Sequence, residues 1–289
     1  PRSKPMRKIT LIGLGAMGQA LAQAQLEAGY DVTVWNRSAA KADTLVKNGA
    51  RLADSLADAI AASEVVLICL SDYASSYAIL DQPGVAESIK GRIIIQLSTG
   101  TPVDAREMGQ WIGALGGQYI DGAIMVYPPT IGSDASQLLI AGESEVVARV
   151  QHFLDALGGD IRNLGEEIGA AAALDMAVVS RLLAITPAVI HGALICEAEG
   201  VPLQQFASMF PEGDRARDVV LSIDADEFED NISASVDVAI GVASSIKRQA
   251  SSMNINSEFP DFVIGLYQRA VAAGQRHHDT SSLIKVLRN

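Results

Sequence analysis

Two cysteines, Cys69 and Cys196, are all that this 289-residue chain contains. Both lie in apolar stretches, so they read as small core residues of a reducing compartment, and a cytoplasmic location is expected. Histidine is scarce too. His152, His191, His277 and His278 have no partners at zinc-site spacing, and no metal is expected. Positive charge is in short supply: 22 Lys and Arg stand against 34 Asp and Glu, a formal net charge of −12. That balance argues against nucleic acid or an anionic membrane as partner. A charge-free run of membrane length is also missing. The most apolar stretch, Ile168 to Ile195, is interrupted by Asp175, Arg181, Pro187 and His191, and reads as a buried helix of a soluble protein. No secretory or transit segment is recognisable. The polar start, Pro1 to Lys4, lacks an initiator Met and reads as an expression remnant.

What is present is a core-forming composition, 49% hydrophobic and 19% charged, enough for one or two globular domains. The apolar segment Ile9 to Ile12 runs into Gly13-Leu14-Gly15-Ala16-Met17-Gly18 and then into an Ala/Leu/Gln-rich helix. In such a loop Gly13 permits the tight turn, Gly15 admits a pyrophosphate against the backbone, and Gly18 lets helix and strand pack closely. The free N–H groups and positive dipole end of the following helix, Ala16 to Ala28, would carry the phosphates. A second strand, Asp31 to Trp35, closes the βαβ unit.

An acidic residue is missing where the ribose of NAD is normally held, about 20 residues after the glycines. Asn36 stands there, followed by Arg37, Ser38 and, one turn later, Lys41. These donors suit a 2′-phosphate, Arg37 best of all, so NADPH is the expected cofactor. Leu70 and Ser71 complete the expected cofactor set with Gln96.

Strands are expected at Lys8–Ile12, Asp31–Trp35, Val65–Leu70, Arg92–Leu97, Tyr119–Val126 and Gln137–Ala141. Helical patterns lie between them, at Ala39–Asn48, Leu56–Ala62, Val103–Leu115 and Glu145–Leu157. The alternation predicts an α/β fold, a doubly wound parallel sheet over residues 1–165. From Gly169 onward only helical patterns recur, at 169–199, 203–209, 232–252 and 259–273. Residues 166–289 are therefore expected to form an all-helical domain that begins with a long interdomain helix. That helix is apolar nearly all round, which predicts burial all round and cover from a second subunit. Pro187 should kink or break it. Pro211 to Asn231, rich in Asp and Glu, reads as loop.

Taken together, these segments resemble the β-hydroxyacid dehydrogenase (6-phosphogluconate dehydrogenase-like) superfamily and, within it, the NADPH-dependent imine reductases. The glycine loop and Trp35-Asn36-Arg37-Ser38 suit both groups. Gln96-Leu97-Ser98-Thr99-Gly100-Thr101-Pro102 is similar to the family's Asn-Leu-Thr-Ser/Asn-Gly-Thr-Pro segment. The most specific match is Asp121-Gly122-Ala123-Ile124-Met125-Val126-Tyr127-Pro128 followed by Ile131-Gly132. The ending Arg269 to Gly274, Asp279 and Leu283 to Arg288 also fits. The resemblance spans Lys8 to Arg288 and implies a homodimer with exchanged helical domains and a substrate cleft formed by both subunits.

Departures from the pattern matter as much. Hydroxyacid dehydrogenases carry a lysine about six residues after a glycine on the long helix; counting from Gly169 gives Asp175. Without that ammonium, carbonyl polarisation and proton relay lose their agent. Imine reductases commonly have Leu-Tyr-Asp here, whereas this chain reads Leu174-Asp175. Two turns later, where relatives place Tyr or Asp, stands Leu183.

Asp175 is the expected catalytic group. Ionised, it would stabilise an iminium cation; protonated, it would act as an acid. A pairing with Arg181 or with a neighbouring subunit is the structural alternative. Gln96, at the carboxyl end of its strand, is expected to hold nicotinamide or substrate nitrogen, or else to make a loop hydrogen bond. Tyr127 is a substitute proton donor. Met125, Tyr127, Met176 and Leu183 are expected to line the substrate cleft with Asp175. The expected substrate is a fairly hydrophobic, cyclic imine or iminium. The alternatives are a carbonyl reductase of the hydroxyacid type and a non-catalytic NADP(H)-binding sensor or scaffold.

Overall fold

A computed structural model describes residues 7–230 and 232–288. The polar start, Pro1 to Lys4, lies outside the described residues. The chain divides into two compact units, Pro1–Asp175 and Met176–Asn289.

The first unit is built on β1 (Lys8–Ile12), β2 (Asp31–Trp35), β3 (Arg51–Leu52), β4 (Val65–Ile68), β5 (Ile93–Gln96), β6 (Gln118–Ile124), β7 (Gln137–Gly142) and β8 (Asp160–Asn163). They form one sheet in the order β3-β2-β1-β4-β5-β6-β7-β8. Its helices are α1 (Ala16–Glu27), α2 (Asp43–Lys47), α3 (Leu56–Ala61), α4 (Tyr73–Leu80), α5 (Pro102–Ala114) and α6 (Ser144–Asp155). β4 (Val-Val-Leu-Ile) and Ile93 to Ile95 of β5 are continuously apolar because both sheet faces are covered. Leu11, Leu67 and Ile95 share one core with Leu21 of α1 and Phe153 of α6. Val66, Ile68 and Ile94 share another with Ile60, Leu80 and Met108 of α3, α4 and α5.

All six expected strands are present, each within a residue or two of its expected span. Two more were not expected. β3 has two residues and β8 reads Asp-Ile-Arg-Asn, so neither carries an apolar run. The sheet also departs from all-parallel, because β6 and β7 pair antiparallel. Only a 3₁₀ turn, Pro128–Thr130, lies between them. A parallel return needs a longer crossover, usually a helix.

Strand order reverses at β1, which pairs with β2 on one side and β4 on the other. Open α/β sheets take ligands at such a switch point, beyond the carboxyl ends of the strands. The glycine loop after β1, Asn36 after β2 and Leu70 after β4 all sit there.

The long helix α7 (Ala170–Glu199) begins in the first unit and runs on into the second. Of the kink or break expected at Pro187, a break is not found: the helix continues through Pro187, which removes one backbone donor. The expectation of burial all round is also not met within the single chain. By length and composition α7 could cross a membrane, yet only 28% of its most apolar window is buried. Leu174, Leu182 and Ile195 are exposed.

The second unit continues with α8 (Leu203–Ala207), α9 (Arg215–Ala225), α10 (Val236–Ser252), α11 (Glu258–Ala272) and α12 (Ile284–Leu287). Its core joins Ile190 of α7 to Val219, Val236, Val263 and Tyr267. Helix α9 corrects the loop expected over 211–231. Asp214 caps it by accepting from the Ala216 N–H, and Ala216, Val219, Val220 and Ile223 bury one stripe. The surrounding Asp and Glu residues hid that four-residue period.

Candidate active site

The glycine loop is shaped by contacts that a side chain would destroy. Gly13 has φ of +94°, and a Cβ there would lie 2.2 Å from the Cys69 carbonyl oxygen. A Cβ on Gly18 would lie 1.9 Å from the Gly13 carbonyl oxygen. Gly15 differs: nothing stands within 4 Å of its Cβ position, so the loop opens to solvent there. Gly15 is the N-cap of α1, with no side-chain cap and no acid in the first turn. Ala16 is exposed and Met17 half-buried at this end, while Leu14 is buried. An uncapped helix start behind an open glycine is a cradle for an anion.

Asn36 has a second role. Its side-chain oxygen accepts from the Leu14 N–H at 3.0 Å, and its Nδ2 donates to the Ser38 carbonyl at 3.0 Å. The amide thus ties the glycine loop to the turn after β2. A carboxylate could accept from Leu14 but could not donate to Ser38. The exposed Arg37, Ser38 and Lys41 then border a cavity of about 320 Å³, whose opposite wall is Leu70, Ser71, Ser75, Ala78 and Ile79. Ser75, Ala78 and Ile79 were missed in the sequence. The available signal was Asp72, which caps α4 by accepting from the Ser75 N–H at 2.7 Å and marks the start of the helix that carries them.

Gln96 is fully buried. Its Nε2 donates to Ser76 Oγ at 2.8 Å, its Oε1 accepts from Ser98 Oγ at 3.1 Å, and Ser98 Oγ accepts from the Leu70 N–H at 2.9 Å. These are the loop hydrogen bonds that stood as the alternative to a contact with nicotinamide or substrate. Burial and two side-chain partners, Ser76 and Ser98, hold it under the Leu70–Ser71 loop, which Ser98 in turn braces.

The other expected residues fall in different places. Tyr127 is 72% exposed, just beyond β6. Met125 packs on Ala123, Leu139, Ala141 and Ala171. Asp175 closes the first unit and is half-buried. Burial, and then the charge of Asp121, raise its carboxyl to about 6. Met176 and Leu183 belong to the second unit. Met176 is buried, and Leu183 lies in the helical core, where it has no proton to offer.

Residues 8–165 match the NAD binding domain of 6-phosphogluconate dehydrogenase. Residues 167–289 match the C-terminal domain of the NADPH-dependent reductive aminase-like proteins. An NADPH-dependent reductive aminase of Aspergillus oryzae is 30% identical over 288 residues, 96% of each chain. The chain belongs to the reductive aminase and imine reductase family. An imine reductase from Myxococcus stipitatus, solved in complex with NADP+, is 31% identical with a TM-score of 0.68, covering 97% of this chain and 100% of its own. A reductive aminase from Aspergillus terreus, solved with NADPH4, cyclohexanone and allyl amine, is 31% identical with a TM-score of 0.63, covering 99% and 100%. The resemblance seen in the sequence is therefore met along the whole chain. Within this family, the open Gly15 position, the uncapped start of α1 and the Arg37-Ser38-Lys41 donors fit NADPH, including its 2′-phosphate.

Proposed function

We propose that this chain reduces C=N bonds of imines or iminium ions with NADPH. When bound, NADPH supplies the hydride. Gly13 to Gly18 would hold its pyrophosphate, Arg37, Ser38 and Lys41 its 2′-phosphate, and Leu70, Ser71 and Ile79 its adenosine side. The observation that carries the reading is Asp175, a half-buried carboxyl raised to about 6 where hydroxyacid enzymes keep a lysine. Near neutral pH such a group exists in both forms. The carboxylate balances a cationic C=N carbon–nitrogen unit in a low-dielectric cleft. The carboxylic acid gives its proton to the nitrogen, breaking O–H and forming N–H. Exposed Tyr127 is a second donor in this reading, since Leu183 cannot act. The substrate class is a fairly hydrophobic, cyclic imine or iminium, because Asp175 is the one charged group among the proposed substrate contacts.

The test is NADPH oxidation against a panel of cyclic imines and iminium ions, with β-hydroxyacids and NADP+ run in reverse. Imine turnover without hydroxyacid oxidation is expected. Asp175→Asn should lower kcat by about 100-fold or more while leaving the NADPH dissociation constant unchanged. Equal turnover in variant and parent would remove Asp175 from the mechanism.

A homodimer is part of the same reading. Exposed Leu174, Leu182 and Ile195 on α7 and an apolar groove of about 410 Å³ between Pro187, His191, Phe259 and Phe262 need cover. Sedimentation at the mass of two chains is expected, and a one-chain mass at working concentration would defeat it. The domain boundary is kept at 165/166 and the location as cytoplasmic, in keeping with the unpaired Cys69 and Cys196.

A further inference from the structure

Asp121 opens the most specific motif in the chain, yet the reading above gives it no task. It sits inside β6 and is fully buried. Tyr73, the first residue of α4, donates its hydroxyl to one carboxylate oxygen at 2.6 Å. The other oxygen accepts from the Ala172 N–H at 3.4 Å, and the Gly169 and Gly122 N–H groups also contribute. Tyr119 donates to the Tyr73 hydroxyl at 3.5 Å. Asp121 therefore receives the free N–H groups at the start of α7, a cap delivered from the sheet. Asp175 lies one turn further along that helix.

The surroundings are built to keep this arrangement. A Cβ on Gly100 would fall 2.3 Å from the Tyr73 ring, so only glycine leaves room for the donor. Gly169 has φ of +99°, and a Cβ there would stand 3.0 Å from the Pro102 carbonyl oxygen. The turn into α7 is thus held at glycine on one side and at Asp121 on the other.

We propose that Asp121, held by Tyr73, is a positioning residue for Asp175: it clamps the first turn of α7 and presents its negative charge to the Asp175 carboxyl. The proposal rests on the catalytic reading of Asp175 only for its consequence in turnover. Asp121 is itself pushed up to about 6 by burial, against the lowering effect of the Tyr73, Ala172 and Gly169 hydrogen bonds. Its charge is the second cause, after burial, of the rise at Asp175. The ionisable groups acting here are Tyr73 and Tyr77 from α4, Tyr119 and Asp121 from β6, and Asp175 from α7. Arg106 of α5 stands beside Gly169.

The signs are determined. Removing a like charge makes the Asp175 anion easier to form, so Asp121→Asn moves the Asp175 titration to lower pH. Tyr73→Phe moves it the same way by another route. Without that hydrogen bond Asp121 keeps its proton to higher pH and shows Asp175 less charge. The experiment uses the full chain with NADPH. Carboxyl carbon NMR follows Asp175, assigned by its loss in Asp175→Asn, and kcat for imine reduction is measured across pH.

The expected result is a titration of Asp175 displaced to lower pH in both variants, with the limb of the kcat profile that follows Asp175 displaced alongside it. An unmoved Asp175 resonance in a folded variant would overturn the proposal. A displaced resonance with an unmoved kcat profile would uphold the coupling and overturn the catalytic reading of Asp175. If Asp121→Asn does not fold, Tyr73→Phe carries the decision, because it leaves both carboxyls in place.

Discussion

Each unit of the chain buries one aspartate in a ring of donors, and the two rings behave oppositely. In the α/β unit Asp121 receives Tyr73 and three backbone N–H groups. In the helical unit Asp279 receives the Ser281 N–H and hydroxyl, both at 2.9 Å or less, the Ser233 N–H and hydroxyl at 3.1 Å, and Arg215 at 2.9 Å. Burial pushes both carboxyls up. At Asp279 the Ser281 hydrogen bonds and the Arg215 guanidinium reverse that push, and the group ends below its ordinary value. At Asp121 no cation joins the ring, a second carboxyl faces it instead, and the value rises to about 6. A buried carboxylate becomes a permanent staple when a cation and enough donors join it, and a titratable element when they do not.

The two contribute to stability with opposite pH dependence. Asp279, depressed in the folded state, contributes stability that is present above its unfolded value and lost as pH falls through the folded one. Asp121, raised in the folded state, opposes folding increasingly as pH rises from its unfolded value of 3.8 toward about 6, since the folded state then binds more protons. The largest effect expected from breaking this comparison is at the staple. Asp279→Ala strips hydrogen bonds from the segments around Arg215, Ser233 and Ser281 and leaves Arg215 unpaired. The cost should be about 3–5 kcal/mol, read by denaturant unfolding followed with far-UV circular dichroism. A loss under about 1 kcal/mol would show that Asp279 behaves as an exposed pair, and the contrast with Asp121 would fall.

The legibility of the sequence follows the same division. The α/β unit was readable where one residue type has one physical use. Gly13 and Gly18 are forced by backbone contacts of 2.2 and 1.9 Å, and the apolar runs of β4 and β5 by cover on both faces. The absent acid after β2 and the absent lysine on α7 were equally plain. The roles of Asn36 and Gln96 were not. Both amides look like ligand contacts by position, and both are engaged with their own chain. A side chain's hydrogen-bond partners depend on burial, which spacing alone does not give. The Asp121 ring was hidden for the same reason, since its partners come from Tyr73, Gly169 and Ala172. In the helical unit, α9 was masked by acidic residues on its exposed side. The even apolarity of α7 predicts burial with cover from a second subunit, and one chain buries only 28% of its most apolar window.

The smallest effect concerns a residue that the site holds by charge alone. Arg37 is exposed at the rim of the 320 Å³ cavity, beside Ser38 and Lys41. No carboxylate stands among the residues lining that cavity, which leaves the guanidinium available to a 2′-phosphate. Lys41 and Ser38 would remain in Arg37→Ala, so binding should weaken without collapsing. The expected outcome is a fall of about tenfold in the preference for NADPH over NADH, equivalent to ~1.4 kcal/mol, with the NADH constants nearly unchanged. Asp175 and Asp121 lie at a different part of the unit, so kcat with saturating NADPH should stay near the parent value. Competitive binding of the two cofactors, measured by fluorescence transfer at two salt concentrations, separates the possibilities. A charge contact weakens with added salt: a preference that survives the substitution but falls with salt would assign the 2′-phosphate to Lys41 without Arg37, and one that survives both would assign it to neutral donors such as Ser38.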